Sequence, residues 1–331
     1  MNQIDRDGLS TPINTTTLWA AVPVPVQKNF QIDSENLHKY SHWLFQQPIG
    51  GVVLNAHTGR GLHWADDQRG LILEVWNQHR PVGKSIIAAV GAPKNAADFA
   101  SACSVARDMA QQAQDFGADG LMIHPPVFLK GDEQIWQKCF AYHREVIESV
   151  QIPSLLFYLY EEAGGLSYPN DLIDDLLTLP QVLGIKVATL DSVMTFQEIA
   201  GLMRLHPQKK LITGEDRFLG YSFMAGAKAA LIGMAAAFVE PQADMITTYQ
   251  SGDYERFHKL SAIIDAFSQT TFRKPMEGYI ARMLACLVHE GAIDAIAAHD
   301  PFGPGLEAGE FERIGTILNV LKRRYEAILN A

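Results

Sequence analysis

Lys186 lies in the segment Leu183-Gly184-Ile185-Lys186-Val187 and offers the most reactive side chain in a strand-like setting. Strand alternation puts Gly184 and Lys186 on one side and Ile185 and Val187 on the other. With the apolar pair turned toward packed helices, the lysine points into a mostly apolar interior. An ammonium is penalised there, so the amine loses its proton more readily and becomes a nucleophile for carbonyl carbon. The iminium so formed is an electron sink. A second candidate ends the apolar run Ser154-Leu155-Leu156-Phe157-Tyr158. The Tyr158 hydroxyl can protonate the departing hydroxide during imine formation and later exchange a proton at carbon. Either residue alone is an ordinary strand-end side chain. Their expected placement on adjacent strands is what points to covalent carbonyl chemistry.

A lysine and a tyrosine need a frame to meet, and the chain supplies a repeating one. Eight short apolar runs alternate with helical stretches: Leu18 to Val26, Gly51 to Asn55, Ser85 to Val90, Gly120 to His124, Ser154 to Tyr158, Val182 to Val187, Lys210 to Thr213 and Ala229 to Met234. Asp33 and Asp66 open helices, Asn95 leads into an Ala-rich one, and Pro169 sits near the start of another that ends before Pro180. Turns such as Gly117-Ala118-Asp119-Gly120 return the chain to the next strand. Eight strand-helix units predict an α/β protein of the (β/α)8 barrel class, with chemistry at the carboxyl ends of the strands. From about Pro241 the pattern is purely helical, through Gly252 to Gln269, Met276 to Glu290 and Glu307 to Ala331. The expected organisation is an N-terminal extension over 1–17, the barrel over 18–240 and an appended helical bundle over 241–331.

Composition narrows the partners. The chain has 331 residues, 47% of them hydrophobic and 19% charged, enough for a large core, and its net charge is -10. Acidic balance works against nucleic acid and anionic membranes, which are bound through clustered Lys and Arg. Cys103, Cys139 and Cys286 are odd in number and far apart, giving neither a disulfide framework nor a zinc pattern, which fits a reducing cytoplasm. His57, His63, His124 and His206 lack paired ligand spacing, so neither a metal nor another cofactor is expected. Asp5, Arg6 and Asp7 interrupt the first residues, and no run of about 18 apolar residues occurs, so no leader or membrane span is expected.

With these residues in view, the sequence resembles the dihydrodipicolinate synthase and N-acetylneuraminate lyase family of Schiff-base-forming aldolases and dehydratases. Tyr158 through Gly165, Leu166, Leu176-Leu177-Thr178-Leu179-Pro180 and Gly184-Ile185-Lys186 follow its lyase pattern without a gap. Asn55-Ala56-His57-Thr58-Gly59-Arg60 stands where the family has GTTGE or GSTGE. Val24-Pro25-Val26 resembles its first-strand turn, and Thr213-Gly214-Glu215-Asp216 its seventh. The resemblance implies Lys186 as the Schiff-base lysine and Tyr158 as the acid/base. It also implies Thr58-Gly59 as the cradle of a 2-keto-acid carboxylate, with Gly214 and Leu231 as further substrate-facing positions. A turn of backbone N–H groups and a hydroxyl suits an anion. A homo-oligomer, dimer or tetramer, is implied as well.

The departures from the pattern also carry information. His57 replaces a family threonine and Arg60 the closing glutamate, while His124-Pro125-Pro126-Val127-Phe128 offers no hydroxyl where the synthase branch has a second tyrosine. His57 is the candidate to take over proton relay, since imidazole titrates near neutrality. Glu161-Glu162-Ala163 stands where that branch has an arginine for its aldehyde's carboxylate. Carboxylates there would repel an acidic aldehyde, so dihydrodipicolinate synthesis is not expected and a neutral or polyol second half fits better. Two other readings are a barrel that binds a phosphorylated ligand through Gly214 and Gly233, and a non-catalytic keto-acid sensor.

Overall fold

The computed structural model describes residues 17–330. The expected extension therefore lies outside the described residues, except Thr17, whose carbonyl accepts from the Ala230 amide at 2.8 Å. Eight parallel strands close on themselves in sequence order: β1 Leu18–Ala21, β2 Gly51–Leu54, β3 Ser85–Val90, β4 Gly120–Ile123, β5 Ser154–Leu159, β6 Val182–Ala188, β7 Lys210–Thr213 and β8 Ala229–Ile232. Each is followed by a helix: α1 Ser34–Phe45, α2 Asp66–His79, α3 Phe99–Asp115, α4 Ile135–Glu148, α5 Asn170–Leu177, α6 Val193–Met203, α7 Leu219–Met224 and α8 Val239–Ser251. Local chemistry accounts for the helix starts. Asp33 caps α1 by accepting from the Asn36 amide, and Asp98 caps α3 through Ser101. Among the described residues no helix is long and apolar enough to cross a membrane.

Strand alternation divides the core in two. Trp19, Val53, Ile87, Met122, Leu155, Phe157, Ile212 and Leu231 fill the barrel interior, whereas Val52, Ile86, Leu121, Leu156, Ile185 and Val187 pack outward against the helices. One irregularity matters for the site. Ser154 pairs with Val182, but the next residue, Leu155, pairs with Gly184, so Leu183 is an extra residue bulged out of β6. From there on β6 runs one residue ahead of the register that the start of the ladder sets, and Phe157 stands opposite Lys186.

Helix α8 spans the boundary expected at 240/241 and completes the eighth unit, so the appended helices begin later, as α9 Tyr254–Thr271, α10 Tyr279–His289 and α11 Glu310–Leu329. A buried ion pair ties them together. Arg282 Nε on α10 donates to Glu310 Oε1 on α11 at 2.8 Å, and Arg282 Nη1 donates to the carbonyls of Arg273 at 2.7 Å and Thr271 at 3.2 Å. The guanidinium thus gathers the segment between α9 and α10, which carries Glu277 to the mouth of the barrel just ahead of Tyr279.

Candidate active site

Lys186 is 6% exposed at the carboxyl end of β6, with Nζ 4.2 Å from the centre of the Phe157 ring. Its stem is accommodated because the neighbouring strand β7 is followed by glycine: a Cβ on Gly214 would lie 2.8 Å from Lys186 Cε and 3.0 Å from the Val187 carbonyl oxygen. Burial pushes the amine down to about 8, although the carboxylates of Asp216 and Glu215 pull it back up. Those two groups are themselves displaced by burial. Asp216, whose Oδ1 accepts from the Met234 amide at 2.7 Å, is raised to about 7. Glu215, accepting from Thr189 and Leu190, is raised to about 8. The arrangement keeps an amine and two carboxyls, all with displaced titrations, together in one buried site.

The turn after β2 supplies the opposite wall. Asn55 and Arg60 both adopt left-handed backbone conformations, with φ of 57° and 54°, which folds the segment back on itself. Thr58 Oγ1 and His57 Nδ1 lie 3.0 Å and 3.1 Å from the Tyr279 hydroxyl. His57 Nε2 lies 3.1 Å from Glu277 Oε1, although that oxygen makes no aligned hydrogen bond. Arg60 is fully engaged, donating to Glu277 at 2.6 Å and to Asp300 at 2.7 Å and 3.2 Å. Against the upward push of burial, His57 and Arg60 hold the Glu277 carboxyl down at about 2.

These walls line a narrow cleft of about 40 Å³. His57, Thr58, Lys186 and Gly214 line it together, joined by Phe157, Tyr160, Asp216 and Tyr279. Three expected positions are elsewhere. Gly59 sits behind the turn, where its carbonyl accepts from Trp64 Nε1 at 2.8 Å and a Cβ would meet the Val22 carbonyl oxygen at 2.9 Å. Leu231 is fully buried in the interior packing beside Trp19, to which it is paired in register.

Tyr158 lies outside this cleft. Its ring packs in the outer layer, edge-on to Tyr168 at 6.3 Å, and the bulge at Leu183 is the reason. Without that extra residue Tyr158 would stand opposite Lys186; with it, Phe157 faces the amine and Tyr158 turns to the helices. Glu161 and Glu162 also differ from expectation. Both are exposed, Glu161 pairs with Lys130 at 2.5 Å, and with Tyr158 they border a separate cleft. The carboxyl groups that act on Lys186 are those of Asp216 and Glu215 instead.

Sequence reasoning missed Tyr279, Glu277 and Tyr160. Tyr160 lies two residues beyond the expected end of β5, within reach of a strand-end search. Tyr279 and Glu277 come from the C-terminal helices, about 220 residues from the turn they complete, and no local pattern marks that contact.

The model of the Dihydrodipicolinate synthetase family matches residues 14–309, and the chain belongs to that family, which makes it a class I aldolase-type lyase. Among relatives, N-acetylneuraminate lyase 2 of Escherichia coli is 22% identical over 285 residues, covering 86% of this chain and 88% of the relative. The 4-hydroxy-tetrahydrodipicolinate synthase of Coxiella burnetii is 25% identical over 273 residues, covering 80% and 86%. Among solved structures, dihydrodipicolinate synthase from Oceanobacillus iheyensis superposes with a TM-score of 0.79 at 18% identity, covering 94% of this chain and 98% of the other. A prophage protein of the same family from E. coli K12, solved in complex with pyruvate, gives 0.79 at 18% identity, covering 93% and 98%.

Proposed function

We propose that the chain is a lyase for a 2-keto acid that forms a Schiff base on Lys186, by aldol cleavage or condensation or by dehydration of a 2-keto-3-deoxy sugar acid. The observation that carries this reading is the buried Lys186 amine, packed on Phe157 and held below its ordinary range in the cleft at the carboxyl ends of the strands. A neutral amine attacks the C2 carbonyl, water departs, and the iminium accepts the electron pair released when a carbon–carbon or carbon–oxygen bond breaks. Backbone N–H groups of the turn that bears Thr58 take the carboxylate. The pyruvate bound to the E. coli K12 relative supports the keto-acid half.

The second substrate half is proposed to be neutral or polyol in character. Among the described residues lining the cleft, Lys186 is the one Lys or Arg, while Glu215 and Asp216 line it too. Arg60, which could otherwise receive an anionic aldehyde, is consumed by Glu277 and Asp300. In this reading the acid/base work expected of Tyr158 passes to groups that face the cleft, His57 among them. No cofactor is invoked, and a dimer or tetramer is the expected assembly, open to sedimentation analysis. The deciding experiment is incubation with pyruvate and borohydride followed by peptide mass mapping. A reduced pyruvate adduct on Lys186 is expected; an unmodified Lys186 with pyruvate and with longer 2-keto acids would sink the proposal.

A further inference from the structure

Resting on the Schiff-base reading, we propose that Tyr279 is a catalytic residue, the hydroxyl that carries protons to and from the carbinolamine oxygen, with His57 recharging it and Glu277 as the positioning residue. The placement of charge around His57 assigns the direction of transfer. The Glu277 carboxylate 3.1 Å from His57 Nε2 favours a proton on that nitrogen, which leaves Nδ1 bare toward the Tyr279 hydroxyl at 3.1 Å. The phenol then donates to Nδ1 and accepts from Thr58 Oγ1 at 3.0 Å. When His57 takes up a second proton, the imidazolium forms beside an ionised carboxylate, and its new proton sits on the nitrogen that faces the phenol.

Position supports the role as well. Tyr279 lines the same cleft as Lys186 and is fixed there by stacking on Phe272, ring centres 4.6 Å apart. A Cβ on Gly233 would come within 3.1 Å of the Tyr279 ring and 3.2 Å of Thr58 Oγ1, so the glycine after β8 leaves room for the pair. The side chain facing the amine from β5 is Phe157, which has no proton to give. Burial holds the Tyr279 phenol well above its ordinary range, so it serves as a carrier and not as a resident base.

The step balances. The Lys186 amine bonds to C2, the carbonyl electron pair moves to oxygen, and a proton passes from nitrogen to that oxygen to give the carbinolamine. The C2–O bond then breaks and oxygen leaves as water with the Tyr279 proton. The nitrogen lone pair closes the C=N bond, and His57 returns its Nδ1 proton to the phenolate. One proton is consumed and one water released per iminium.

The test uses the intact protein with pyruvate as probe, reading the rate of borohydride-trapped adduct and the exchange of pyruvate methyl protons in D2O by NMR. Tyr279→Phe is expected to slow both by roughly 100-fold or more, while the adduct at saturating pyruvate still reaches wild-type stoichiometry because Lys186 is intact. Glu277→Gln is expected to slow exchange by roughly tenfold with KM for pyruvate unchanged, since the imidazole loses the carboxylate that orients it, and Glu277→Asp is expected to restore part of the rate. If Tyr279→Phe does not fold by circular dichroism, His57→Gln must show the same rate loss with the phenol in place. Wild-type rates in a folded Tyr279→Phe, or in Glu277→Gln, overturn the relay alone. Absence of adduct in the wild type overturns it together with the Schiff-base reading.

Discussion

The reactivity of Lys186 should follow a titration far from that of an ordinary lysine. Its amine is brought from 10.5 to about 8 by burial, against the pull of Asp216 and Glu215. At pH 7 that raises the neutral fraction from roughly 0.03% to roughly 9%, about a 300-fold gain in nucleophile. The rate of pyruvate adduct formation, measured under limiting borohydride from pH 6 to 10, should climb and level off near pH 8. Asp216→Asn removes a carboxylate that favours the ammonium, so its inflection should move lower still. The same displacement bears on stability. Because the folded amine is the weaker base, the unfolded chain binds more protons between pH 8 and 10.5, and stability from this group rises with pH across that window. Below it the ammonium costs the fold on the order of 3 kcal/mol, so Lys186→Met should lose that rise in urea titrations. An adduct rate that keeps increasing to pH 10 in the wild type, with no earlier plateau, would refute the reasoning about burial.

Three further outcomes follow from packing and register. Gly214→Ala puts a Cβ 2.8 Å from Lys186 Cε; the lysine must move, and trapping should fall at least tenfold while the fold loses about 1–3 kcal/mol, read by pyruvate adduct yield and urea midpoint. Tyr158→Phe should leave proton exchange into pyruvate within about twofold of wild type, because its ring faces Tyr168; a loss near 100-fold in a normally stable protein would show that the side chain reaches the amine. Glu310→Ala leaves the buried Arg282 guanidinium without its 2.8 Å partner, at a cost of about 3–5 kcal/mol. Its urea midpoint should drop accordingly, and exchange should weaken as the segment bearing Glu277 loosens.

How much of this was legible in the sequence depended on the range of the interaction. The barrel was, because strand and helix periodicities are local and repeat eight times; Ser85 to Val90 and Lys210 to Thr213 begin and end as their apolar runs do. Lys186 was legible for the same reason, since alternation about Ile185 and Val187 is a property of a few consecutive residues. His57 and Thr58 could be placed after β2 by position in the repeat. What escaped was long in range. Tyr279 and Glu277 reach the site on a segment that Arg282 ties down through the carbonyls of Thr271 and Arg273, a contact made in three dimensions between residues that carry no local signal of it.

The outward placement of Tyr158 has a different origin, and it shows how a pairing argument depends on an unbroken ladder. Tyr158 and Lys186 have the same separation in sequence as Ser154 and Val182, which do pair. A regular parallel ladder would carry that register to the strand ends and set tyrosine opposite lysine. One inserted residue at Leu183 is enough to invert the outcome, because side chains alternate with a period of two and a one-residue shift exchanges the inner and outer faces. The residues after the bulge remain a good strand, and nothing in Val182-Leu183-Gly184 requires the extra residue to bulge. Gly184 is where the structure tolerates it: a Cβ there would lie 2.1 Å from the Lys210 carbonyl oxygen, so the close approach of β7 depends on that glycine. Bulge and glycine together aim Lys186 at Phe157, and they leave the hydroxyl of the site to come from Tyr279 on the far wall.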